Sequence, residues 1–183
     1  MAGRPPPAYR GRVDVAELLQ ELHGRARALA PRVVEGLSVE ELSLSPGGGA
    51  NPVGWLVWHQ ARVADDHVAD LAGAEQLWTA AADGPGWAQR LGLDLPPGDT
   101  GYGHGPDEVA RVRASAELLA GYAEAVGARV QEVVGGMSPA DLDRVVDEAW
   151  DPPVTCGVRL VSVADDCLQH LGQASYARGV LGL

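Results

Sequence analysis

Asn51-Pro-Val-Gly-Trp55-Leu56-Val-Trp58-His59-Gln-Ala-Arg62-Val63-Ala-Asp65-Asp66-His67-Val68 is the stretch on which the fold turns. Asparagine suits a helix cap and proline the first helical turn, so a helix is predicted from here to about Gly73. Within it Leu56, His59, Val63 and Asp66 follow the three-four-three spacing of a core-facing stripe. Two ionisable groups, His59 and Asp66, are thereby expected to point inward. A buried ionisable group is costly unless something satisfies it.

Three other stretches carry the same period. The first opens at Asp14 with Glu17 three residues on, a capping-box spacing, and sets Val15, Leu18, Leu22, Ala26, Leu29 and Val33 on one face. Pro31 is expected to kink or shorten it. Another follows Gly105-Pro106-Asp107 and threads Val109, Val112, Ala116, Leu119, Ala123, Val126, Val130 and Val133 before Gly135-Gly136. The last enters near Val158, after Pro152-Pro153, and carries Leu160, Val163, Cys167, His170, Ala174 and Ala177. No stretch alternates with a period of two, so the expectation is an all-α, four-helix bundle spanning 13–183. Met1 to Arg12, rich in Arg and Pro and without an apolar middle, is expected to be a disordered arm rather than a secretory signal. Two connections are long, Gly73–Gly105 and Gly135–Thr155. Short turns are expected within them at Gln76–Thr79, Trp87–Leu91 and Ser138–Asp141.

Composition narrows the function. Hydrophobic residues at 46% and charged residues at 21% are those of an ordinary globule, which excludes disordered and collagen-like classes. A net charge of −11 repels phosphate backbones and anionic lipid, so neither nucleic acid nor membrane is an expected partner. Two cysteines, Cys156 and Cys167, are too few for a disulfide framework and fit a cytoplasmic protein.

On the last predicted helix Asp166 stands one turn before His170, on nearly the same face. An Asp/His pair of this spacing, facing His59 from another helix, supplies three side chains of a metal site with a position left open. Imidazole and carboxylate suit Zn²⁺, with Ni²⁺ or Fe²⁺ as alternatives. The competing readings are a hydrogen-bonded core histidine and a metal-free polar network that fixes helix register. Asp66 is a candidate general base or partner to a ligand, and equally a candidate ion pair with Arg62 or Arg178. His67 falls to the surface or an interface, and His23 to solvent. Cys167, on the inward stripe, reads as a small hydrophobe. Gly98–Gly105 is either a passive connector or a lid that brings Tyr102 or His104 to the site.

Together with Leu160-Val-Ser-Val-Ala-Asp165-Asp166-Cys-Leu-Gln-His170-Leu-Gly-Gln173-Ala-Ser-Tyr176-Ala-Arg178-Gly, the opening stretch resembles the DinB/YfiT-like superfamily in its actinobacterial branch. The motifs that carry the likeness are Trp-x-x-Trp-His and His-x-Gly-Gln-x-x-Tyr-x-Arg-Gly. The N-terminal domain of mycothiol-dependent maleylpyruvate isomerases is among the proteins it resembles. The resemblance implies a homodimeric bundle with a divalent metal on His59, Asp166 and His170. Asp166 stands where many relatives carry His, so it is either a ligand or a partner that orients one. Arg62 and Arg178 are candidates to contact the carboxylates of a thiol cofactor, or to make inter-helix hydrogen bonds. The implied activity is that of a transferase or isomerase that activates a small thiol such as mycothiol for attack on an electrophile. The alternative is a non-catalytic metal- or ligand-binding bundle, a sensor or stress-related protein.

Overall fold

The computed structural model describes residues 14–81 and 84–183, and the expected arm, Met1 to Arg12, lies outside them. Four long helices, α1 (Val15–Val34), α3 (Val53–Ala72), α6 (Ala116–Gly135) and α8 (Cys156–Leu181), form the bundle. The short elements are α2 (Val39–Leu42), α4 (Trp87–Leu91), α5 (Pro106–Val109), α7 (Pro139–Leu142), β1 (Val145–Asp147) and β2 (Val154–Thr155). Helices α1 and α3 each pack on both α6 and α8, so α1 and α3 lie on opposite corners.

Capping chemistry sets most boundaries. Asp14 and Glu17 close a capping box at α1, and Ser38 with Glu41 does the same for α2. Helix α1 includes Pro31 and continues to Val34, so the proline does not shorten it before Val33. Its stripe is rotated from the expected one. Leu19, His23, Ala26, Ala30 and Val33 are buried, while Val15 and Leu18 are exposed. His23 is thus a core residue and not a solvated one.

The third long helix also begins later than expected. Pro106–Val109 makes one separate turn, and α6 starts only where Ser115 Oγ accepts from the Leu118 amide. Val112, between them, is buried all the same. Helix α8 starts two residues before Val158, with Thr155 as its cap. The expected turns at Gln76–Thr79, Trp87–Leu91 and Ser138–Asp141 are present, the latter two as α4 and α7. The antiparallel pair of β1 and β2 was not expected, and is too short to change the all-α class.

Helix α3 is buried on nearly every face. The Gly73–Gly105 connection contributes, because Trp78 packs on Trp58 and Arg62, and Gly101 lies against His59, Trp58 and Trp55. A stripe therefore cannot say which α3 residues point inward. Asp65 is buried at 3% exposure, whereas the Asp66 side chain is 41% exposed. Among the described residues no helix is long and apolar enough to cross a membrane.

Candidate metal centre

Helix α3 delivers His59 and helix α8 delivers Asp166 and His170 to one point. One potential ligand atom from each lies within 4.8 Å of the others. The His59 and His170 rings are 4.8 Å apart at 75°, and Asp166 Oδ1 lies 3.4 Å from His170 Nε2.

Each imidazole is held by its other nitrogen. His59 Nδ1 donates to the Thr100 carbonyl at 2.5 Å, which leaves Nε2 with its lone pair. His170 Nδ1 donates to Gln173 Oε1 at 2.9 Å, which turns its Nε2 toward Asp166. Partners of this kind fix the ring and its tautomer in metal-binding histidines. Burial holds the His59 pKa below its ordinary range, whereas the bond to Asp166 raises that of His170. Asp166 Oδ2 is buried and has no partner. A buried carboxylate oxygen without a protein partner, beside two imidazoles whose far nitrogens are engaged, is a donor set that could hold a cation.

The long connection builds the back of this centre. Trp55 stacks on His59 at 4.5 Å, and the Tyr102 ring meets His59 edge-on at 5.3 Å. Trp55 Nε1 donates to His104 Nδ1, and His104 Nε2 lies 2.9 Å from the Asp99 carboxylate. The Gly98–Gly105 segment is therefore not a passive connector, and it brings Tyr102 to the site and His104 to its Trp55 wall. Asp166 also borders an open cleft of about 340 Å³ between α8, the β1–β2 ribbon and Tyr102.

The other expected residues fall elsewhere. Asp66 accepts from Gln76 Nε2 at 2.7 Å and lies beside His67, so it neither points into the core nor pairs with an arginine. Arg62 is fully buried, and its donors go to the Asp99 carbonyl, the Tyr122 hydroxyl and Gln76 Oε1, with Asp65 3.6 Å away. Asp65 accepts from the Leu77 and Trp78 amides and from Tyr122, whose hydroxyl burial pushes well above its usual range, so that it stays a donor. Arg178 donates to the carbonyls of Arg32, Val33 and Leu183. Both arginines thus take the inter-helix role, and no donor of Arg62 is exposed to a ligand. Burial raises the Cys167 thiol far above its usual range, which makes it inert.

Thr100 and Gly101 were not legible as parts of the centre, and Gln173, which lies within the last-helix motif, was expected to bond between helices rather than to hold His170. Thr100 acts through its carbonyl and Gly101 through having no side chain. The signal for Gln173 was its spacing, three residues after His170.

The model of the DinB superfamily matches residues 22–174. The crystal structure of a conserved protein from Enterococcus faecalis shares 33% identity and a TM-score of 0.84, over 94% of this chain and 100% of that one. No curated protein matches the chain. With a family match over most of its length and a likeness in both sequence and fold, the chain belongs to the DinB superfamily.

Proposed function

We propose that His59, Asp166 and His170 hold a divalent cation, with Zn²⁺ the first candidate and Ni²⁺ or Fe²⁺ the alternatives, and that the centre activates a small thiol. The observation that carries this reading is the buried, partnerless Asp166 Oδ2 beside two imidazoles whose far nitrogens are already committed. Three protein ligands leave a position for an exogenous group. Asp166 acts as a direct ligand in this reading, with its second oxygen not engaged by any protein donor.

A divalent ion bound there supplies the Lewis acidity that ionises a thiol near neutral pH. The chain's own part is to orient and to exclude water. Thr100 and Gln173 fix the two rings, Trp55 and Tyr102 wall His59, and the cleft beside Asp166 admits the small molecules. The resemblance to mycothiol-dependent enzymes supports mycothiol as the thiol and an electrophilic carbon as its target.

The test is a transfer assay with mycothiol and an activated alkene such as N-ethylmaleimide. Zn²⁺-loaded protein is expected to accelerate the reaction and His59→Ala to abolish the acceleration. Full metal occupancy without any metal-dependent rate would overturn catalysis and favour a binding or sensing bundle.

A further inference from the structure

We propose that the cleft beside the metal centre is an anion-selective subsite in which Arg159 anchors the carboxylate of a small molecule with an apolar body. Arg159 is the only permanent cation among the described residues that line the cleft. It is set from two sides. Nη1 donates to the ring of His67 at 3.2 Å, and Nη2 donates to Asp147 Oδ2 at 2.9 Å. Burial and the adjacent guanidinium hold His67 below its ordinary range, so the ring accepts and does not compete as a cation. These two bonds hold the guanidinium and leave N–H donors over, and a guanidinium matches a carboxylate in a paired geometry.

The surroundings select the rest of the ligand. Trp150 and Tyr102, each 66% exposed, flank the opening, and Val154 and Val158 add apolar surface. Large exposed aromatics at a concave site are ready contact area for an apolar body. Arg159 and Val158 belong to the first turn of α8, a 26-residue helix whose N-terminal dipole also favours an anion. Against these stand Asp147, which pairs with Arg159 and takes up part of its charge, Asp165, whose carboxylate accepts from Gln169 Nε2, and Asp166, whose charge a cation at the centre would offset. With the molecule at −11, an anion needs such a local cation to enter at all.

The offset of the Asp166 charge rests on the metal reading; the anchoring by Arg159 is tested apart from it. The test uses 3-phenylpropenoate and its neutral amide as probes, titrated calorimetrically into Zn²⁺-treated and chelator-treated full-length protein. The acid is expected to bind about 10- to 100-fold tighter than the amide, the range for a charge-assisted hydrogen bond. Arg159→Gln should bring that ratio close to unity, and Arg159→Lys should keep part of it. The ratio in the unmodified protein judges the proposal even if a variant fails to fold. Equal binding of acid and amide, no binding of either at millimolar concentration, or a preference that survives Arg159→Gln would overturn it. A preference that depends on Arg159 in protein that takes up no metal would sustain this proposal and defeat the metal reading. A preference lost on chelation yet unchanged by Arg159→Gln would do the reverse.

Discussion

A Cβ at position 101 would lie 2.6 Å from His59 Nδ1 and 3.0 Å from the Trp58 ring, on a backbone with φ +96°. Gly101→Ala is therefore expected to cost about 1–3 kcal/mol through strain alone, and to loosen the Thr100 bond that orients His59. Thermal melts and Zn²⁺ titration of the variant check both effects, and an unchanged affinity would separate the loop from the centre. Gln173→Ala removes the partner of His170 Nδ1, and a loss of about 10- to 100-fold in metal affinity is expected. Asp166→Ala should lose more than that, because it removes a ligand and not a ligand's partner. The three side chains of the candidate centre were legible because a one-turn Asp/His pair and a lone core histidine form a spacing pattern. Asp66 was misplaced because α3 is buried on nearly every face, so a three-four spacing there does not mark its one narrow exposed strip, on which Asp66 lies.

Element by element, period and caps told most of the story. The four rods were readable because each carries apolar residues at steps of three and four. Errors arose where a second signal competed: the Val109–Val112 run continued the α6 period, but Ser115 supplied the cap that starts the helix. In α1 the apolar pattern tolerated a rotation, and packing chose the face that buries His23. The Gly73–Gly105 connection was recognisable only as long. What it does, covering α3 and lending a carbonyl to His59, depends on contacts distant in sequence. Deleting the tip of this element, 98–103, is expected to leave the helical circular dichroism signal nearly unchanged while abolishing tight metal binding. Intact binding would show that α3 and α8 assemble the centre without it.

For the molecule as a whole, protonation and metal loading are linked to stability. Burial lowers the folded pKa values of His23, His59 and His67, so across the interval just below about 6.5 the unfolded chain binds more protons at these sites. Their contribution is present above that pH and is lost as pH falls through the folded values. His170, with a raised folded pKa, acts in the opposite sense: its contribution is complete below about 6.5 and is lost as pH rises through the folded value. Below about 6.5 the three lowered histidines act while His170 is already protonated in both states, so the melting temperature of chelated protein is expected to fall on acidification there, measurable by calorimetry. Metal loading must displace the proton of His170, whose pKa the bond to Asp166 raises, so Zn²⁺ affinity should rise with pH as that proton is lost. Metal content is the most direct measurement. Protein expressed and purified without chelator, then assayed by elemental analysis, is expected to carry about one divalent ion per chain, and none after His59→Ala or His170→Ala. Unmodified protein that takes up neither Zn²⁺, Ni²⁺ nor Fe²⁺, or that keeps its metal when both histidines are replaced, would contradict the account.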